Sequence, residues 1–134
     1  MFYSFDLTIP ANTTELAPVE EDVELVAGLV HHVELQFPRG CVGLVHVRVF
    51  HALHQLWPAN PDGDLSGENA LIGWNEEWEL EREPLALTLQ GWNLDDSYAH
   101  TITFRFALRE AKGGASALPA LQPAAAGLPT LELP

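Results

Sequence analysis

The chain has 134 residues, a formal net charge of −13 at pH 7 and a hydrophobic fraction of 47%, which together predict one domain with a sizeable core and exclude global disorder. Only six residues are Lys or Arg, which argues against nucleic acids and acidic membrane surfaces as partners, because both bind mainly through basic side chains. The single cysteine, Cys41, excludes an intramolecular disulfide framework.

The first predicted strand covers residues 3–9, in which alternate residues are apolar. This period of two is typical of a strand with one buried face. Pro10 ends the strand because proline cannot donate to a strand ladder. The N-terminal stretch lacks the basic and long apolar regions of a signal peptide, and no segment approaches the roughly 18 apolar residues of a membrane span. We therefore expect synthesis in the cytoplasm and no membrane partner.

The same alternation recurs along the chain as far as Leu108. It predicts further strands at 23–27, 33–37, 45–50, 53–57, 74–81, 85–89 and 101–108, with Gly28 as a bulge or bend. Turn-forming stretches separate them, among them PRG at 38–40 and WPANPDGDLSGEN at 57–69. No helical period of ten or more residues occurs. The chain is predicted to be all-β, with a single antiparallel, jelly-roll-like β-sandwich of about eight strands over residues 1–111.

Residues 112–134 are rich in Ala, Pro and Leu and show neither alternation nor a helical face. They are predicted to form an extended C-terminal arm outside the sandwich, with prolines that favour an extended backbone. The candidate arm contacts with other chains are Leu118, Leu121, Leu128, Leu131 and Leu133. The stretch LPTLELP at 128–134 is suited to adding as a strand to an exposed sheet edge, in cis or in trans.

Six histidines raise the question of a metal site. Cupin-type sandwiches bind metal through two His one residue apart on a strand, followed by a Glu and a later His. Here His31 and His32 are adjacent, so a regular strand directs them to opposite faces. His46 shares a face with Arg48, whose charge disfavours a cation there. Surface or hydrogen-bonded histidines are the favoured interpretation, and a cupin-like metalloenzyme is the least favoured function.

The loop at 62–68 has the order of oxygen ligands found in the first half of a calcium loop. The candidate ligands are Asp62, Asp64, Ser66 and Glu68. The bidentate Glu that closes such a loop is missing, because Gly73 occupies its position. An Asx-rich turn is therefore favoured, with calcium as the weaker alternative. No cofactor is predicted.

No catalytic pattern accompanies these features. The sequence around Cys41 provides neither a base nor an oxyanion site, and no G-x-S-x-G elbow surrounds a serine. The acidic run NEEWELERE at 75–83 places alternate glutamates opposite Trp78 and Leu80, as expected for the solvated face of a strand. We expect a protein that is not an enzyme.

The tryptophans divide into two groups. Trp74 and Trp78 are in phase with Leu80, which predicts a place in the core. Trp57 begins a loop, and Trp92 is out of phase with the leucines of its strand. Because Trp is enriched at protein interfaces, Trp57 and Trp92 are predicted as oligomer contacts, with sugar stacking as the weaker alternative.

Four stretches together resemble small β-sandwich proteins of tailed bacteriophages and prophages, found among their structural and head genes. The stretches are FYSFDLTIPANT, VELQFPRGCVGLVHVRV, QLWPANPDGD and GWNLDDSYAHTITFRF. The resemblance covers residues 2–109 and excludes the C-terminal arm. It implies a virion structural or accessory role, such as capsid decoration, and it transfers no site residue.

The expected function is that of a homo-oligomeric, non-enzymatic structural protein that self-assembles or docks on a larger protein shell. The expected location is a phage virion, after synthesis in the host cytoplasm, with a cytoplasmic location as the alternative. An acidic exterior suits a subunit that stays soluble until it docks. The alternative function is a carbohydrate- or calcium-dependent binding module formed by the 57–69 loop and Trp92.

Overall fold

The structure, a computed structural model, describes residues 1–110 of the chain. This part contains eight strands joined by loops. The strands are β1 (Phe2–Ile9), β2 (Val19–Glu24), β3 (Gly28–Phe37), β4 (Val45–His51), β5 (His54–Trp57), β6 (Ala70–Leu80), β7 (Ala86–Asn93) and β8 (His100–Glu110). Residues 1–110 contain no helix that is long and apolar enough to cross a membrane.

The strands form two four-stranded sheets with the orders β1-β8-β3-β6 and β2-β7-β4-β5. All neighbouring strands are antiparallel. The chain passes from one sheet to the other at most connections, and the resulting order is that of a jelly roll. The predicted all-β, jelly-roll-like sandwich is confirmed.

The core lies between the sheets and is built from the alternating apolar residues. In β8, Ile102, Phe104 and Phe106 are fully buried, and in β4 the same holds for Val47 and Val49. Each such side chain contributes about 1.5–3 kcal/mol when it leaves water. The period of two therefore places one face of each of these strands in the core.

A β-bulge in β3 changes the placement of the adjacent histidines. The register of β3 shifts between Val30 and His32 against both neighbouring strands, and Val30 and Val33 are both fully buried. Against β8 the extra residue is His31, whereas against β6 the extra residue lies in β6, between Asn75 and Trp78. His31 and His32 both lie on the outer face of the sheet. The prediction of opposite faces is wrong because a bulge interrupts the regular period of two. Gly28, the predicted bulge, instead begins the strand.

Four loops meet at one end of the sandwich: residues 10–18, 38–44, 58–69 and 94–99. We call this the four-loop end. The strands β1, β3, β5 and β7 lead into these loops. The predicted C-terminal arm, with Leu118, Leu121, Leu128, Leu131 and Leu133, lies outside the described residues.

Candidate functional site

Hydrogen bonds between backbones join the loops of the four-loop end. Thr13 and Asn93 exchange two bonds, with N–O distances of 3.0 and 2.9 Å. The amide of Leu94 donates to the carbonyl of Leu44 at 2.9 Å. These bonds connect three of the four loops directly or through their strand ends, and they hold these three loops together as one unit.

Asn93 stabilises this unit from inside. It is fully buried, and its side-chain amide donates to the carbonyls of Ile9 and Tyr98 at 3.1 and 2.9 Å. Its side-chain oxygen accepts from the amide of Asp95 at 2.9 Å. A buried polar group with all its partners present specifies one loop arrangement, because any other arrangement leaves it unpaired.

The turn between β3 and β4 is held by a carboxylate from the next loop in space. Glu68 accepts hydrogen bonds from the amides of Gly40 and Val42, the latter at 2.7 Å. The Val42 bond and then the Gly40 bond lower the pKa of Glu68 below its ordinary value. Between these two amides lies Cys41, which is fully buried, and burial raises its thiol pKa. A thiol in this environment is a poor nucleophile.

A second carboxylate organises the loop between β7 and β8. Asp95 lies 2.9 Å from His100 and also accepts from the amide of Ser97 at 2.9 Å. The hydrogen bond from His100, followed by that from Ser97, lowers the pKa of Asp95. The loop is therefore fixed at its base and at its centre.

Large apolar side chains stand exposed on these rigid loops. Their exposed fractions are 98% for Leu16, 68% for Val42, 53% for Leu94 and 70% for Tyr98. Single exposed apolar residues are common on protein surfaces, whereas several of them at one end of a fold are typical of a contact surface. Four of the nine large apolar side chains that are exposed in residues 1–110 lie at the four-loop end, which makes it a candidate contact surface. A sequence signal for it existed in apolar residues within otherwise polar turns, but these were not among the predicted contacts.

Trp92 was predicted to contact other subunits, and this prediction is wrong for the described structure, where only 3% of the residue is exposed. It lies on the outer side of β7, where His46 stacks on it with ring centroids 5.4 Å apart. The guanidinium carbon of Arg48 lies 4.6 Å from the ring centroid. Trp92 does lie out of phase with the buried leucines of β7, as predicted, but polar side chains and loops cover its ring.

The structure does not bring the candidate calcium ligands together. Two of them, Asp62 and Asp64, contact the side chains that cover Trp92. Asp64 lies 2.7 Å from the imidazole of His46, and the carbonyl of Asp62 accepts from Arg48 at 2.9 Å. Glu68 instead accepts hydrogen bonds from the amides of Gly40 and Val42 in the turn between β3 and β4. The Ser66 hydroxyl makes no hydrogen bond within residues 1–110. Residues 1–110 contain no group of three or more His, Cys, Asp or Glu side chains arranged to hold a metal ion.

Trp57 is also mostly buried, with 6% exposed, so the second predicted tryptophan contact is wrong as well. It packs edge-on against Trp74 and Trp78 and stacks against Phe106. The predicted core positions of Trp74 and Trp78 are borne out in part, because both are half-buried and pack against the core. Trp57 is buried because β5 faces β6 across the open side of the sandwich.

One carboxylate lies within this tryptophan cluster. The indole N–H groups of Trp57 and Trp74 both donate to the same oxygen of Glu76, at 2.8 and 2.9 Å. The buried indoles are thereby satisfied. Glu76 is in phase with Trp74 and Trp78 in the sequence, a signal that the interpretation of the acidic run as a solvated face missed.

An open cleft of about 500 Å³ lies beside the bulge and is lined by His31, Asn75, Glu76, Glu77 and Arg109. Its lining combines an imidazole, two carboxylates, an amide and a guanidinium. It is a polar surface feature and brings together none of the predicted site residues.

Comparison of the sequence with models of known protein families and with curated protein sequences finds no match to this chain.

Proposed function

We propose that this protein is a non-enzymatic structural component that self-assembles or docks on a larger protein shell, as a capsid decoration or accessory protein of a phage virion. The observation that carries the proposal is the exposure of Leu16, Val42, Leu94 and Tyr98 on the rigid four-loop end. Apolar side chains of this size lose contact with water when they meet a partner, which favours association.

Two further features support a virion role. The jelly-roll order of the strands also occurs in viral capsid subunits, an argument from fold analogy. The net charge of −13 keeps subunits apart in solution until a specific surface docks. The proposed location is the virion, after synthesis in the cytoplasm, with a cytoplasmic location as the alternative. The partners are other copies of the chain and a protein shell, and no cofactor is involved.

Cryo-electron microscopy of native particles tests this function. We expect the chain in a regular array at a fixed copy number, with the four-loop end against the shell. Tyr98→Ser combined with Leu94→Ser should weaken docking at least about tenfold, because two apolar contacts are lost. Leu53→Ser is the matched control, since Leu53 is 98% exposed at the opposite end. Finding only free chain in the native material would contradict the proposal.

The alternative proposal, a carbohydrate- or calcium-dependent binding module, rests on residues that the fold uses elsewhere. Trp57 and Trp92 are covered, and Asp64 and Glu68 are engaged with His46 and a backbone turn. Calorimetry with calcium at millimolar concentration distinguishes the two proposals, and we expect no saturable heat. Binding that disappears in Asp62→Asn or Asp64→Asn would instead favour the module.

A further inference from the structure

The four edge strands of the two sheets differ in how well they are protected against pairing with another strand. Four of the six residues of β2 are acidic, β5 has only four residues, and β6 carries Glu76, Glu77 and Glu79. Charge and shortness are the usual protections of an edge, because they prevent a second strand from adding there. β1 has eight residues and one charge, that of Asp6. Among the edges of the described sheets, β1 is the one that lacks protection.

The hydrogen-bond pattern identifies which groups of β1 are available. Met1 and Leu108 exchange two bonds, of 2.6 and 2.7 Å, so they form a hydrogen-bonded pair of the β1–β8 ladder. Bonded and non-bonded pairs alternate along an antiparallel ladder. The odd-numbered residues of β1 therefore bond to β8, and the even-numbered ones direct their backbone groups to the open edge. The close Thr8–Thr101 hydroxyl contact of 2.8 Å agrees, since side chains are nearer in non-bonded pairs.

Phe2, Ser4, Asp6 and Thr8 thus present one N–H and one C=O each along the open edge. Within residues 1–110, no other backbone group bonds to them. We propose that this edge pairs antiparallel with β1 of a second copy, so that the β1 sheets of two subunits become one continuous sheet. The inference rests on the proposed self-assembly and names the surface through which it occurs.

The sequence of β1 selects one register for this pairing. When Ser4 lies opposite Asp6 of the partner subunit, Phe2 lies opposite Thr8 of the partner subunit, and all four even-numbered residues are paired. The neighbouring register that places Asp6 on the twofold axis sets two carboxylates opposite each other, which is unfavourable. The opposite shift leaves Thr8 unpaired. In the selected register each serine hydroxyl faces a carboxylate that accepts a hydrogen bond.

The inner face of β1 also suits this register. Tyr3 and Phe5 stack with ring centroids 5.9 Å apart and are half-buried. The twofold axis passes beside Phe5, so that the two copies of this ring become cross-strand neighbours. Aromatic cross-strand pairs each contribute to sheet stability, and these rings extend the core across the interface. Two copies of charge −13 oppose this association at low salt.

Disulfide trapping on the full chain tests the register. An equimolar mixture of Ser4→Cys and Asp6→Cys chains should form a cross-linked dimer under mild oxidation, because directly opposite Cα atoms lie about 5.5 Å apart, within disulfide range. Ser4→Cys alone should not cross-link, because its two copies lie at a diagonal of roughly 7–8 Å or more. The native Cys41 does not interfere, since it is fully buried.

Sedimentation of charge variants provides the second test. Ser4→Asp places two carboxylates opposite each other at two symmetry-related positions and should weaken the dimer about tenfold. Ser4→Asp with Asp6→Ser restores one carboxylate per pair, so the dimer should recover to within about threefold of the native chain. Gln36→Glu, which adds the same charge on the outer face of β3, is the control and should leave the dimer within about threefold.

The outcomes separate this inference from the proposed function. A monomeric full chain, or a dimer that fails to cross-link in the mixture, overturns the β1 pairing. Dimerisation through β1 only after removal of residues 113–134 also overturns it, because those residues of the same chain then occupy the edge. A chain found in native particles without β1 pairing leaves the function standing. A β1-paired dimer that is absent from particles removes the function and leaves the inference standing.

Discussion

Arg48 is a buried cation whose role is decided by its neighbours. Its guanidinium donates to the carbonyls of Gly63 and Asp62 at 2.7 and 2.9 Å and to the carboxylate of Glu15 at 2.9 Å. It also covers the ring of Trp92. One side chain therefore joins the 10–18 loop, the 58–69 loop and the outer face of β7. The planar fork of arginine suits several acceptors at once.

We expect Arg48→Met to lower the free energy of unfolding by about 2–3 kcal/mol, because two carbonyls lose their donor while the aliphatic contact is kept. Urea denaturation measures this loss. Arg48→Lys is the matched control and should recover less than half of it, since one ammonium cannot reach the same set of acceptors. A native-like midpoint for Arg48→Met would show that water replaces these bonds without cost.

His32 gives the outer face of the β3 sheet a pH dependence. Its ring nitrogens lie 2.9 Å from the side-chain oxygen of Asn75 and 3.1 Å from that of Glu34. The bond to Asn75, and then that to Glu34, raises the pKa of His32 above its ordinary value. A raised pKa in the folded state means that this stabilisation is complete below about pH 6.5 and is lost as pH rises through the folded pKa.

The native chain should therefore lose a small amount of thermal stability, less than about 3 °C in Tm, between pH 6 and pH 8. His32→Gln keeps a hydrogen-bonding group but cannot titrate, so its Tm should be flat over this interval. Calorimetry in buffers of matched ionic strength measures both. A slope that persists in the variant would assign the effect to another group.

The loss of stability at acidic pH has a different origin. The lowered pKa values of Glu68 and Asp95 contribute stability above the ordinary carboxyl pKa of about 4, and this contribution is lost as pH falls through the folded values. Both groups hold loops of the four-loop end, so acid should loosen that end before the sheets.

The first residue of β3, Gly28, is a glycine because β8 approaches it closely, and not because of the apolar pattern of the strand. A Cβ atom on Gly28 would lie 2.5 Å from the carbonyl oxygen of Arg109 in β8. Backbone cannot move aside as a flexible side chain can, so the position accepts only glycine without displacement of β8. Gly28, predicted as a bulge or bend, instead lies at the start of β3, where the close approach of β8 requires glycine.

Gly28→Ala should destabilise the fold by about 1–3 kcal/mol, the usual range for overpacking, as measured by chemical denaturation. Gly73→Ala on β6 is the control, because its Cβ would meet the flexible side chain of Glu34 at 3.3 Å. We expect a change of less than about 1 kcal/mol there. Equal losses in the two variants would mean that strand propensity, not the Arg109 contact, is responsible.

At the scale of the whole molecule, the core and the proposed arm contacts occupy separate parts of the chain. In the part of the chain that the structure describes, the buried core residues lie between residues 7 and 108, whereas the proposed arm contacts are all in residues 113–134. Folding of the sandwich and docking through the arm can therefore be tested separately by truncation.

Deleting residues 113–134 should leave Tm within about 2 °C of the full chain, because every core residue of the described sandwich is kept. It should weaken assembly on the larger particle, because the proposed apolar contacts are lost. Calorimetry and the mass of reconstituted particles measure the two effects. Unchanged particle mass and stability after the truncation would contradict the arm hypothesis.

Much of the fold could be predicted from the sequence, because alternation reports burial directly. The residues of β4 and β8 that alternate as apolar are the buried ones, and Pro10 lies immediately beyond the end of β1. β2 was less predictable and begins at Val19 rather than residue 23. Its acidic residues hide the period of two, since an edge strand with charged side chains has only a short apolar signal.

The candidate site was predictable only in part. Trp57 and Trp92 attracted attention by residue type, yet their exposure depends on which loops and side chains cover them. Val42 and Tyr98 were overlooked because single apolar residues in turns are common. Their significance emerges only when hydrogen bonds such as that between Leu94 and Leu44 bring separate loops to one end.

The sequence by itself determined the fold class, the strand number and most of the core, because a period of two is a local property that requires no knowledge of partners. The tertiary structure alone decided the jelly-roll order, the bulge at His31 and the unprotected edge of β1. These depend on which strands become neighbours, and contacts between residues far apart in the chain have no local signature. The question of assembly therefore lies with the edges and loop ends that the completed sandwich leaves open.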